Sequence, residues 1–214
     1  MYIKERMTPN PITIQDDVPI SELVSLMREK SIKKVPVMHK DQLVGIVTHG
    51  DVQRVSPSAA TSLSVFEINY LLSKTRVRDA MSKTVFTTTP DSYVEDAAVI
   101  MRYNHINALC VVDEKGKLVG IVTESDLFDA LISMMGGRTS GHRFVIEAED
   151  VPGTIGKLGD AIASRGININ HFACWNSNGG KYELLVKIGM ETDAEKAKAA
   201  LEGEGFAIKS FSSR

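Results

Sequence analysis

Two threonine–aspartate pairs, Thr48 with Asp51 and Thr123 with Asp126, stand at one spacing after one hexapeptide, Leu-Val-Gly-Ile-Val-Thr, at residues 43–48 and 118–123. A hydroxyl three residues before a carboxylate at a strand-to-helix turn has two chemical uses. In a capping box, the threonine oxygen and the carboxylate satisfy backbone amides that the first helical turn leaves unpaired. In a ligand site, the hydroxyl donates to a phosphate held at the positive end of the helix. The carboxylate repels phosphate, so its natural partner there is the pair of hydroxyls of a ribose. The spacing by itself leaves both uses open.

Other chemistry finds little support. The histidines at 39, 49, 105, 142 and 171 form no HExxH or His-x-His pattern and have no cysteine at metal-ligand spacing, so no metal site is expected. His171 and Cys174, three apart on an expected strand, point to opposite faces. Cys110 and Cys174 lie in apolar segments and read as buried, reduced thiols. With neither a Walker loop nor a GxGxxG, no catalytic residues and no resident cofactor are expected. An enzyme with an unrecognised site is the least supported reading.

With 25 Lys plus Arg against 27 Asp plus Glu among 214 residues and a pI near 6.2, no basic field draws the chain to nucleic acid or an anionic membrane. No window approaches the ~20 apolar residues of a membrane span. Small molecules and proteins are the expected partners, in a cytoplasmic setting.

The hexapeptide is part of a longer repeat, shifted by 75 residues at the corners (Thr48 to Thr123) and by 74 before them (Met7 to Met81). Thr13 falls on Thr87, Met27-Arg28 on Met101-Arg102, and Val37 on Val111. Each copy reads as strand, helix, strand, strand, helix. Leu23, Leu26 and Met27, and likewise Ala97, Ile100 and Met101, follow a helical period. In the closing helix, Leu127, Phe128, Leu131 and Ile132 form an apolar stripe. So short a unit has little core of its own, and the two copies are expected to pack as one body. Between them, Ser56-Pro57-Ser58 leads into an added helix carrying Phe66 and Tyr70 on one face.

The stretch 136–141 is rich in glycine and small polar residues and reads as a linker. Beyond it, Phe144–Ala148 is a strand, Asp150–Gly153 a turn, and Ile155, Leu158 and Ile162 a helical stripe that ends at Gly166. Ile167 and Ile169 alternate on a second strand. Asn178-Gly179-Gly180 is a hairpin turn into Tyr182–Ile188. Thr192 and Glu195 suggest a capping box, and 206–211 a last strand. The order is βαββαβ, a ferredoxin-like arrangement.

The doubled GIVTxxD corners, with their Met7-Thr8 and Met81-Ser82 lead-ins, resemble CBS domains paired as a Bateman module. The third segment is similar to an ACT domain through Asp150-x-Pro152-Gly153 and Gly166–Ile169. A CBS pair followed by an ACT domain resembles acetoin utilisation proteins of the B type. The expected fold class is thus α+β. Its divisions are a first CBS domain at 1–60, a connecting helix at 61–75, a second CBS domain at 76–135, a linker at 136–142 and an ACT domain at 143–214.

The resemblance implies an adenine nucleotide (AMP, ADP or ATP) as regulatory ligand, with Thr48, Asp51, Thr123 and Asp126 in the roles described above. Ile12, Ile32, Val35 and Pro36 are the adenine walls available in copy one, and Phe86, Ile106 and Leu109 those in copy two. Lys33 and Lys34 stand where copy two has Asn107 and Ala108, and this charge favours the first site for phosphates. His49 against Glu124, and Gly50 against Ser125, predict unlike sites. In the ACT segment, Gly153, Asn168 and Ile169 are expected to hold an amino acid; the alternative is a tight turn with a strand-end asparagine. A homodimer acting on a metabolic enzyme is the implied assembly. The competing reading is a ligand-free scaffold that docks on such an enzyme, for example a deacetylase, its corners serving only as helix caps.

Overall fold

Each copy of the repeat folds as expected, and the two exchange their lead-ins. The computed structural model describes residues 1–55, 64, 67, 70, 73–177 and 180–214. Its two units are Met1–Phe128 and Asp129–Arg214. In the first, a lead-in strand β1 (Thr8–Pro9) precedes β2 (Ile14–Gln15), α1 (Ile20–Glu29), β3 (Lys34–His39), β4 (Gln42–Thr48) and α2 (His49–Val55). A short helix α3 (Val77–Ala80) then leads to β5 (Thr87–Thr88), α4 (Val94–Tyr103), β6 (Ala108–Val112), β7 (Leu118–Thr123) and α5 (Glu124–Met134). Most of the expected connecting helix lies outside the described residues, Phe66 among them. Glu67, Tyr70, Ser73 and Lys74 are helical, and Ser64 caps that turn by exchanging hydrogen bonds with Glu67.

The apolar period builds each helix against its sheet. Ile20, Leu23 and Met27 are buried on α1, and Val94, Ala97 and Met101 on α4. β3 and β6 are buried runs, Val35–Val37 and Ala108–Val111, as central strands covered on both faces must be. Both hairpins shift register at equivalent places, Val37/Met38 and Val111/Val112.

The lead-ins cross over. β1, at the start of the chain, pairs with β7 of the second copy, Thr8 opposite Ile121 and Pro9 opposite Gly120. Ser82, the lead-in of the second copy, bridges to Ile46 of the first, with N–H···O distances of 3.1 and 2.9 Å. A methionine lies over the glycine of each hexapeptide. A β-carbon on Gly45 would run into Met81 and the Ser82 carbonyl, and one on Gly120 into Met7 and the Thr8 carbonyl.

The second unit is β8 (His142–Glu149), α6 (Thr154–Ala163), β9 (Ile169–Asn176), β10 (Lys181–Ile188), α7 (Ala194–Gly203) and β11 (Ala207–Ser213). The sheet order β11-β8-β10-β9 is antiparallel throughout, the ferredoxin-like topology that the element order predicts. Its core holds Phe144, Ile146, Leu158, Ile162, Leu184, Val186 and Leu201.

Several local expectations are corrected. Asp193, not Thr192, caps α7, its carboxylate accepting from the amides of Glu195 and Lys196 at 3.0 and 3.2 Å, because a charged acceptor suits the positive helix end better than a hydroxyl. Cys174 is exposed on edge strand β9, whereas Cys110 is buried in β6. The stripe on α5 buries Ala130 while Phe128 and Leu131 remain 56% and 54% exposed, and Ile155 likewise faces outward on α6. The glycine-rich stretch is not a free tether. The buried Lys187 donates to the carbonyls of Gly136 and Thr139 at 2.6 and 2.5 Å, and Gly141 exchanges backbone bonds with Arg214. The hairpin turn at Asn178-Gly179 lies outside the described residues.

Gly45→Val and Gly120→Val are each expected to destabilise the protein by about 1–3 kcal/mol through overpacking against the lead-ins. Gly159→Ala on α6, where the added methyl meets nothing within 4 Å, is expected to raise stability by about 0.4–1 kcal/mol; denaturant midpoints check both. Burial pushes the Cys110 thiol up to about 12. The native chain should therefore react with one equivalent of an aromatic disulfide reagent, at Cys174, and with two once unfolded.

Candidate functional site

Both corners form capping arrangements at the strand-to-helix turn. The Thr48 amide and hydroxyl each donate to Oδ2 of Asp51 at 2.7 Å, and the Asp51 amide returns a bond to Thr48 Oγ1 at 3.3 Å. Asp51 is 3% exposed, and Arg54, one turn later, pairs with its other oxygen. At the second corner Thr123 makes the same two bonds to Oδ2 of Asp126, again at 2.7 Å. Each aspartate is thus oriented before any ligand arrives.

The exchange of lead-ins decides what each corner faces. A cleft of about 490 Å³ joins Ile46, Thr48 and Asp51 of the first copy to Ser82, Lys83, Thr84, Phe86, His105, Ile106, Asn107 and Ala108 of the second. That size falls within the range of pockets that take a nucleotide-sized molecule. Phe86, Ile106 and Ala108 supply apolar wall, Asp51 and Asn107 supply acceptors, and Lys83 supplies positive charge.

Sequence reasoning assigned Lys33 and Lys34 to the first corner. The Lys33 carbonyl does accept from the His49 amide there at 2.9 Å, but Lys34 departs from the expectation. Lys34 faces the second corner, where Glu124 and Asp126 attract its ammonium; burial outweighs them and holds the group below the usual lysine range. Its Nζ donates to the Asn107 carbonyl at 2.7 Å. The reason is the crossover: a corner on one copy opens toward the other copy's strand, so a wall residue serves the opposite corner. Asn107, Ala108 and Phe86 accordingly line the cleft at Thr48 and Asp51. Pro36, Val35 and Leu109 are buried strand residues, whereas Ile12 is exposed. Sequence reasoning missed Lys83, Thr84 and His105. The signal was available in the Met81-Ser82 lead-in next to them, but its use requires knowing that lead-ins are exchanged.

In the second unit Gly153 has φ +94° at the N-cap of α6, a conformation that favours glycine. Asn168 donates to Asn170 Oδ1 at 3.0 Å, and Ile169 opens β9. Near this turn, the Asp150 carboxylate and partial burial raise the Tyr182 phenol above its ordinary value. A cleft of about 300 Å³ lies elsewhere, among Glu147, Glu149, Thr154, Lys157, Lys181 and Glu204. It includes none of the three predicted residues, and its charges largely pair with one another.

Among the described residues, no group of three or more His, Cys, Asp or Glu side chains is placed to hold a metal ion. No helix there is long and apolar enough to cross a membrane.

Comparison with known proteins bears on this geometry. An uncharacterized protein of Methanocaldococcus jannaschii is 36% identical over 155 residues, 62% of this chain and 92% of its own length. Longer relatives bearing enzyme names match a similar share of the chain, which spans about a quarter of their length. Among solved structures, a CBS domain pair in complex with 5′-methylthioadenosine and S-adenosyl-L-methionine is 25% identical, with a TM-score of 0.52 over 65% of this chain and 98% of that one. An acetoin utilization protein from Vibrio cholerae, 24% identical, has the same fold with a TM-score of 0.52 over 64% of this chain and 95% of that one. The CBS domain model matches residues 3–58 and 77–133, and the ACT domain model residues 142–206. The crossed pair of strand–helix corners and the four-stranded ferredoxin-like unit are what these matches predict, and the chain belongs to the CBS domain family, with a tandem CBS pair followed by an ACT domain.

Proposed function

We propose that this chain is a cytoplasmic regulatory ligand sensor, not an enzyme. Its CBS pair binds adenine nucleotides (AMP, ADP or ATP), its ACT domain binds an amino acid at Gly153, Asn168 and Ile169, and the ligands together modulate a metabolic partner. The observation that carries this reading is the cleft in which Thr48 and Asp51 of one copy meet Lys83, Phe86, Ile106 and Asn107 of the other. A ribose diol fits the buried carboxylate, an adenine ring fits the apolar walls, and Lys83 with the Thr48 hydroxyl suits an anionic tail. The related CBS pair in complex with two adenosine derivatives supports the ligand class. In the second corner Lys34 stands beside Asp126, so a second adenosine ligand there has a cation within reach.

Features of the surface support self-association. Phe128, Leu131 and Met134 lie exposed along α5, and β9 and β11 are the sheet edges of the ACT unit. A homodimer would cover such features. Regulation then requires each ligand to bind one arrangement of the protein better than another.

One observation favours the scaffold reading: both aspartates already have partners on their own corner threonines, as pure helix caps would. Thermal denaturation separates the two. A nucleotide at ~100 times its dissociation constant is expected to add about 2.7 kcal/mol of stability. That gain should shrink in Asp51→Asn or Asp126→Asn, measured against each variant's own ligand-free baseline. No shift with AMP, ADP or ATP, joined to retained binding of a partner enzyme, would leave the scaffold.

A further inference from the structure

The two corners share a threonine and an aspartate but not the residue one turn further along the helix. At the first, both oxygens of Asp51 are engaged: Oδ2 by the amide and hydroxyl of Thr48, Oδ1 by the guanidinium of Arg54. At the second, Oδ2 of Asp126 takes the same two bonds from Thr123, while Oδ1 has no hydrogen-bond partner among the described residues. The repeat equivalent of Arg54 is Asp129, a residue of opposite charge that pairs with Arg138 instead.

We propose that Arg54 is the specificity-determining residue of the first corner, making the cleft at Asp51 selective for adenosine ligands that carry a phosphate. This rests on the reading that a ribose diol docks on the aspartate. A diol brings two O–H donors to one carboxylate. Asp126 accepts them with an oxygen that no described residue engages by a hydrogen bond. Asp51 must release or share Arg54 to do the same, and a guanidinium parted from its carboxylate loses a charge-assisted bond. An anionic tail gives the guanidinium a new partner in bidentate geometry. A neutral 5′ hydroxyl does not.

The placement permits the exchange. The Arg54 side chain is 74% exposed, so it can pivot without disturbing α2, and Lys83 lines the cleft at Asp51, so the anion enters a region that already holds a cation. The second corner leans the other way: Glu124 follows Thr123 where His49 follows Thr48, and Glu124 and Asp126 offset the charge of Lys34. The first corner therefore selects AMP and its higher phosphates, and the second accepts adenosine with or without a phosphate.

Calorimetry with AMP and adenosine as probes tests this on the full chain. An Asp126→Asn background reports the first corner, and an Asp51→Asn background the second. At the first corner AMP should bind about tenfold or more tighter than adenosine, and Arg54→Gln should remove most of that preference, weakening AMP while adenosine, relieved of the competing guanidinium, binds as well or tighter. Arg54→Lys, which keeps the charge but not the fork, should fall between. Asp129→Arg should bring a phosphate preference to the second corner. If Arg54→Gln weakens both probes equally, the arginine is only structural and the proposal fails. It fails also if the ratio is unchanged. If wild-type protein binds neither probe, the nucleotide reading falls, and this proposal with it.

Discussion

Met81 packed across Gly45, and Met7 across Gly120, tie the two halves of the first unit to one another. Each half donates its lead-in to the other half's sheet through the β1–β7 pairing and the Ile46–Ser82 bridge. A strand–helix–hairpin–helix unit of this size has only a marginal core of its own, and the exchange adds a strand or bridge from the other copy to each sheet. It also places each corner against residues of the opposite copy. The cleft at Thr48 and Asp51 is therefore walled by residues of both copies.

The corner aspartates serve stability before they serve anything else. Asp51 is buried and accepts from a backbone amide, a hydroxyl and a guanidinium, and such a carboxylate is oriented at folding. A ligand that uses it meets a preorganised acceptor and loses little entropy in arranging it. The same economy makes the site sensitive to neighbours: one arginine on the next turn changes what the carboxylate has left to offer.

In the second unit, Lys187 fastens the segment after α5 to the end of β10. A buried ammonium with two carbonyl partners is satisfied only while that segment stays in place. The stretch is glycine-rich because the chain must turn with φ +64° at Gly136 and pass close to the backbone at Gly141, and not because it needs to be loose. Composition alone cannot tell those two demands apart.

Much of the architecture is written in local pattern. The repeat is read directly from the residues, and the helical periods of α1 and α4 and the βαββαβ order of the second unit rest on local preferences that the tertiary context here does not override. The corner chemistry is equally local, since Thr48 and Asp51 lie within one turn. What only the folded chain decided is everything that depends on residues far apart in sequence: that lead-ins are exchanged, that Lys34 answers to Asp126 rather than Asp51, that Lys83 and His105 join the first cleft, that Cys174 and the α5 stripe face outward. Periodicity records that a residue has an apolar face, but not which surface that face meets. The meeting is fixed by long-range pairing, and here by a glycine in each copy that leaves room for a methionine from the other.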